Sequence, residues 1–183
     1  RVSSPSVSDS KTSGAPFRWE DYFKATANRP PHATSERAMH ALGTVPPGSR
    51  VLDLGSGSGR DSLHFLARGF KVTAVDSHPA ALSELKARAE QAGLADRLTC
   101  VCERFEKLEL EPESFVLINA SMALPFCDPA RFRQVWESLR RALKPRGVFA
   151  GHFFGKHDDW AHRGEMTFLW QSELEGFLIG LEM

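Results

Sequence analysis

The residues of this chain best placed to do chemistry run from Asp53 through Leu54-Gly55-Ser56-Gly57-Ser58-Gly59 and on to a second acid, Asp76. Glycine at alternate positions frees the backbone for φ > 0 and removes the Cβ atoms that would keep a ligand off the main chain. With apolar Val51-Leu52 before it and a helical run from Arg60 to Arg68 after it, the segment reads as strand, turn and helix. That unit sets a nucleotide-sized ligand over a helix N-terminus at the carboxyl edge of a sheet. A dinucleotide fingerprint, G-x-G-x-x-G, would put its third glycine at position 60, which is Arg60. A phosphate-cradling P-loop needs Gly-Lys-Ser/Thr, and no lysine lies between Arg50 and Lys71. Asp53 would repel a pyrophosphate but suits an ammonium or sulfonium charge. Lys71–Val75 reads as a second strand ending in Asp76, about twenty residues past the glycines, where an acid can accept from both ribose hydroxyls. The ligand implied is a nucleoside with a cationic tail and no phosphate.

These residues, Asp53 through Gly59 followed by Asp76, resemble the first two motifs of the class I S-adenosylmethionine-dependent methyltransferases, and the likeness runs from about Trp19 to the end of the chain. The resemblance implies that Asp53 and the loop of Gly55, Ser56, Gly57 and Gly59 hold the methionine moiety, with Asp76 and the adjoining Ser77 at the ribose. It places the adenine near Cys102-Glu103-Arg104-Phe105-Glu106. Arg104 stands where the family carries an acid, so Phe105 and Glu106 are the expected purine contacts. The cofactor implied is S-adenosylmethionine, and the reaction is methyl transfer to a small-molecule acceptor, as in the tellurite-resistance and thiopurine types. Alternatives are a methyltransferase acting on RNA or protein, and a binding module without turnover.

The family meets its acceptor beyond the fourth strand, here Asn119-Ala120-Ser121-Met122-Ala123-Leu124-Pro125-Phe126. Asn119 lacks the Pro-Pro that follows it in enzymes methylating exocyclic or amide nitrogens, so it is expected to line the pocket, with Ser121, as a cofactor contact and a candidate catalytic residue rather than to grip a nitrogen in that manner. A second polar and aromatic stretch, His152 to Arg163, contributes His157, Asp158 and Trp160 as residues that could orient or deprotonate an acceptor. Its spacing follows no zinc pattern. Methyl transfer from a sulfonium needs alignment more than acid–base help, so the sequence assigns no base.

The elements that must position these groups alternate. Strands are expected at Leu98–Cys102, Phe115–Ala120 and Val148–Phe154. His78-Pro79 opens a helix that Gly93 closes, with a Leu82, Leu85, Ala89 stripe. Asp128-Pro129 opens another, with Phe132, Val135, Trp136, Leu139 and Leu143 facing the core. Ser172 caps a last helix, Glu173–Leu178, and Leu181-Glu182-Met183 begins a further strand. Strand–helix alternation specifies an α/β, doubly wound, Rossmann-like and mostly parallel sheet with helices on both faces. The resemblance implies seven strands in the order 3-2-1-4-5-7-6. Five strands and a stub are legible, which leaves the apolar fifth strand as a bare edge. The expectation is a chain truncated at its C-terminus, or one that completes its sheet by self-association through that edge.

Residues 1–16, rich in Ser, Gly and Pro, read as a disordered leader, and 17–183 as one domain. Within it, 17–45 forms an N-terminal helical lid, carrying Phe17, Trp19, Tyr22 and Phe23, and 46–183 forms the cofactor-binding core. Lys+Arg and Asp+Glu balance at 23 each, which argues against a nucleic-acid partner. Three cysteines without framework spacing suit a reducing cytoplasm. No apolar run is long enough to cross a membrane.

Overall fold

The computed structural model describes residues 18–162 and 164–181; the expected leader, Phe17 and the terminal Glu182-Met183 lie outside them. Two short helices, α1 (Trp19–Thr26) and α2 (Ala33–Leu42), precede the sheet. There follow β1 (Arg50–Leu54), α3 (Arg60–Ala67), β2 (Lys71–Asp76), α4 (Pro79–Gln91), β3 (Leu98–Cys102), β4 (Phe115–Ala120), α5 (Phe132–Ala142) and β5 (Leu143–Gly151). All ladders are parallel, and the strand order is β3-β2-β1-β4-β5. This is the Rossmann-like arrangement expected, with the first five strands of the family's order. A two-stranded ribbon, β6 (Phe154–Gly155) with β7 (Phe168–Leu169), and helix α6 (Gln171–Leu178) follow.

Side chains alternate across a strand, and both faces of this sheet are covered. Leu52, Leu54, Ile118 and Ala120 pack against α5 through Phe132, Val135, Trp136 and Leu139. Val51, Val72, Ala74 and Leu117 point the other way, into Ala38 of α2, Phe65 and Leu66 of α3, and Leu82, Leu85 and Ala89 of α4. Alternation puts Asp53 and Asn119 on this second face, and the β1–β4 register sets them directly opposite one another. Both are buried, at 2% and 1% exposure.

Three expected boundaries move for identifiable reasons. Helix α5 begins at Phe132 rather than Asp128, because the Asp128 carboxylate caps a separate turn, accepting from Ala130 N at 2.9 Å, while its carbonyl accepts from Arg131 N at 2.9 Å. Leu143 leaves the helix stripe and pairs with Phe115 as the first residue of β5. The 144–147 segment is a register shift within that strand, with Arg146 at φ +62°, and the strand ends at Gly151. Helix α6 starts at Gln171, since Glu173 Oε2 accepts from Trp170 N at 2.7 Å. The expected terminal strand falls mostly outside the described residues.

Trp136 is the largest fully buried side chain, and its indole Nε1 donates to Phe177 O at 2.9 Å. Trp136→Ala removes this packing and the tie to α6, and should destabilise the fold by about 3–5 kcal/mol, read as a lowered midpoint in urea unfolding.

Candidate active site

The glycine loop turns on three left-handed residues, Gly55, Gly57 and Gly59, with φ of +68°, +52° and +89°. A Cβ on each would meet protein: Ala123 Cβ at 2.7 Å from Gly55, the Phe23 ring at 3.1 Å from Gly57, and Leu85 Cδ1 at 2.1 Å from Gly59. The loop is thus sandwiched between α1, the segment after β4, and α4. Gly59 serves as N-cap of α3 against Leu85 and does not line the cleft. Here glycine is needed for backbone conformation and helix packing.

Above the loop lies a cleft of about 940 Å³. Of the expected residues, it is lined by Gly55, Ser56, Gly57, Asp76, Ser77, Phe105 and Glu106, together with Asp158 and Trp160. Asp76 Oδ2 accepts from Gly57 N at 2.8 Å and Oδ1 accepts from His78 N at 2.9 Å, so the acid shapes the loop as well as facing the cleft. The Ser56 hydroxyl is buried at the cleft with no hydrogen-bond partner among the described residues. Buried polar groups are normally paired, and a ligand with donors and acceptors would satisfy this one. Glu106 accepts from Asp128 N at 2.9 Å and from Arg104 Nε at 3.2 Å. Burial works to raise its carboxyl, but these donors outweigh that and hold it below the usual range.

Asp53, Asn119 and His157 sit elsewhere. Asp53 and Asn119 face α2 and α3 behind the loop, a consequence of strand alternation, and neither lines the cleft. His157 packs its ring against Trp170 at 5.5 Å, away from the cleft. Asp158 reaches the cleft, and its Oδ1 accepts from Trp160 N at 2.9 Å.

Behind the loop is a polar network with no counterpart among the sequence expectations. Asp53 accepts from Ser62 Oγ at 2.5 Å and from Asn119 Nδ2 at 2.7 Å. The same amide reaches Asp61 Oδ2 at 3.3 Å, and Asn119 Oδ1 accepts from Ser35 at 3.2 Å and Ser121 at 2.8 Å. Asp61 accepts from both the backbone N and the ring Nδ1 of His32, each at 2.8 Å. Two carboxyls therefore share one buried space. Burial first, and the Asp61 charge second, push Asp53 up to about 7. Burial works the same way on Asp61, but its bonds with His32 prevail and draw it below the ordinary value. His32, Arg60 and Ser121 line the cleft, with aromatic walls from Trp19, Tyr22, Phe23 and Phe126. The sequence signals for His32 and Asp61 are slight: Pro30-Pro31 before the histidine, and an acid at the second residue of α3.

A profile of the methyltransferase-domain family matches residues 51–147. The chain belongs to the class I S-adenosylmethionine-dependent methyltransferases. It is 32% identical over 106 residues to an uncharacterised methyltransferase of Synechocystis sp., covering 58% of this chain and 47% of that protein. It is 25% identical over 158 residues to a sterol 24-C-methyltransferase of Clavispora lusitaniae, covering 83% of this chain and 40% of that one. The chain thus spans less than half the length of these two curated relatives. Among solved structures, the glycopeptide N-methyltransferase MtfA complexed with (S)-adenosyl-L-methionine aligns at 28% identity and TM-score 0.55, covering 69% of this chain and 57% of that one. The YcgJ protein of Bacillus subtilis shares the fold at 20% identity and TM-score 0.61, over 76% of this chain and 66% of that one.

Among the described residues, no helix of the domain is long and apolar enough to cross a membrane. The raised Asp53 carboxyl has a consequence for stability. Between the ordinary 3.8 and about 7, the folded form holds a proton that the unfolded chain has released. The Asp53 contribution is therefore fully present below pH 3.8 and is lost as pH rises to about 7. Asp53→Asn keeps the shape of the protonated side chain and should flatten that decline, seen as a smaller loss of denaturation midpoint between pH 5 and pH 8 than in the unsubstituted protein.

Proposed function

We propose that this domain transfers a methyl group from S-adenosylmethionine to a small-molecule acceptor by in-line displacement. The observation that carries the reading is the buried Ser56 hydroxyl of the glycine loop, which has no partner among the described residues and lines the same cleft as the Asp76 carboxylate. Asp76 would take the ribose hydroxyls, Ser56 and the loop amides the methionine end, and Phe105 with Glu106 the purine. Among the described residues, four acids line the cleft (Asp76, Glu106, Asp158 and Asp159) against two arginines, Arg60 and Arg104, of which Arg104 is engaged by Glu106. That balance favours a cationic ligand, and aromatic rings beside it add cation–π attraction.

The sulfonium supplies an electrophilic methyl group whose departure leaves a neutral thioether. What the protein adds is position and dryness, and alignment alone is worth up to about 7–11 kcal/mol. A cleft of this volume suits a nucleoside with a modest acceptor. The formal neutrality of the chain and its resemblance to sterol and glycopeptide methyltransferases support a small acceptor over a nucleic acid.

Helix α1 is the proposed lid. Trp19 and Phe23 form its cleft-facing side, and Trp19 meets Phe126 edge-on at 4.9 Å. Arg88 of α4 staples it down, donating at 2.8 Å to both Ala27 O at the end of α1 and Ser58 O in the glycine loop.

Calorimetry with S-adenosylhomocysteine tests the site. Binding is expected, and Asp76→Ala should weaken it by about ten- to a hundred-fold, the range for a hydrogen bond to a charged group. No binding to the folded protein would refute the assignment. Removing residues through Phe23 should also weaken binding; unchanged affinity would dismiss the lid.

A further inference from the structure

We propose that His78 is a ribose-binding residue of this site, so that one ribose hydroxyl of the cofactor donates to Asp76 and the other to His78 Nε2. The inference rests on the methyl-transfer reading above and divides between two residues a contact which that reading gives to the acid alone.

Asp76 has little acceptor capacity left. A carboxylate offers about four lone-pair positions, two on each oxygen. Oδ2 accepts from Gly57 N at 2.8 Å. Oδ1 accepts from His78 N at 2.9 Å and from the ring Nδ1 of the same residue at 3.0 Å. These donors fill Oδ1 and half of Oδ2, and the acid is only 6% exposed, so bulk water has little part in the count. A ribose diol brings two donors. One finds the remaining lone pair on Oδ2, and the other needs a different acceptor.

The same contacts prepare His78 for that part. Oδ1 of Asp76 is an acceptor, so Nδ1 carries the proton, and in the neutral ring the lone pair then stands on Nε2. The Ser77 hydroxyl, 3.4 Å from Nδ1, can share that proton as a second acceptor. Nε2 has no hydrogen-bond partner among the described residues, and His78 lines the cleft beside Asp76 and Ser77. Aromatic neighbours on α1 hold the ring, with Trp19 at 5.7 Å and Phe23 at 5.5 Å between centroids. The His78 carbonyl accepts from Ala81 N at 3.1 Å and Leu82 N at 3.3 Å, which ties its backbone to the first turn of α4. Backbone, one nitrogen and two ring contacts are thus fixed, and Nε2 is left for a ligand.

Other polar groups at this end of the cleft serve a hydroxyl donor less well. Arg104 can only donate, and Glu106 already accepts from Asp128 N and from Arg104. The Ser77 hydroxyl also lines the cleft, but it is a weaker acceptor than an imidazole nitrogen. Asp76 ends β2 and His78 stands two residues further on, so the two acceptors sit side by side, as the donors of a vicinal diol do. A deoxyribose would leave one of them without its donor. The pair therefore selects a ligand that carries both hydroxyls.

The test is calorimetry on the 183-residue protein with S-adenosylhomocysteine and with its 2′-deoxy and 3′-deoxy forms. His78→Asn keeps an amide donor where Nδ1 stands and removes the Nε2 acceptor, whereas His78→Gln restores an acceptor oxygen near the Nε2 position. Both lose the ring contacts with Trp19 and Phe23, so that loss cancels between them. With S-adenosylhomocysteine, His78→Asn should bind about three- to ten-fold more weakly than His78→Gln, the range for one neutral hydrogen bond. With the deoxy form that lacks the hydroxyl His78 serves, the gap should close; with the other it should persist. Imidazole nitrogen NMR of the unsubstituted protein at pH 8 should show His78 protonated on Nδ1 and bare on Nε2, with the Nε2 resonance moving when S-adenosylhomocysteine binds. No gap between the variants, a gap of one size on all three ligands, or a proton on Nε2 would overturn the His78 assignment while leaving the methyl-transfer reading in place. If the unsubstituted protein does not bind S-adenosylhomocysteine at all, both fall together.

Discussion

Two carboxyl groups buried in one space, Asp53 and Asp61, set the terms on which the rest of this structure is built. Burying a lone charge is costly, and burying two of the same sign costs more. The fold resolves this unequally. Asp61 keeps its charge by taking the backbone and ring of His32, while Asp53 rises to about 7 among Ser62 and Asn119. The solution recruits β1, β4, α2 and α3 at once, so α2 is bound to the sheet by a polar network as well as by apolar packing. The same network sets His32 at the cleft.

The glycine loop follows from that placement. With β1 and α3 fixed by Asp53, Ser62 and Asp61, the chain between them must reverse within a few residues, and three left-handed glycines accomplish it. Each presents its bare Cα to another part of the protein, so the loop is closed on three sides and meets the cleft on the fourth. At this loop, Ser56 and the Asp76 carboxylate line the cleft. The latter also holds the loop through Gly57 N, so one acid both shapes the turn and faces the cleft.

Charge and aromaticity in the cleft are divided among elements distant in the chain. Helix α1 brings Trp19, Tyr22 and Phe23, the segment after β4 brings Phe126, and the stretch after β5 brings Asp158 and Trp160. Arg88 joins the first of these to the loop by bonding two carbonyls, a use of a guanidinium fork that a lysine could not reproduce.

The sequence by itself determined the strands Leu98–Cys102 and Phe115–Ala120, the alternation that makes the sheet parallel and covered, and the Asp53–Gly59 and Asp76 pattern that marks the family. These are local: a period of two, a glycine spacing and an acid at a strand end are visible without knowing what packs where. The tertiary structure decided which acid faces the cleft. Asp53 and Asp76 look equivalent in the chain, yet Asp53 lies within β1 opposite Asn119 and turns inward, while Asp76 ends β2 and reaches the loop. It also decided the partnership of His32 with Asp61, 29 residues apart, because a hydrogen bond between the approach to α2 and the first turn of α3 depends on how two helices dock, and docking leaves no periodic trace in sequence.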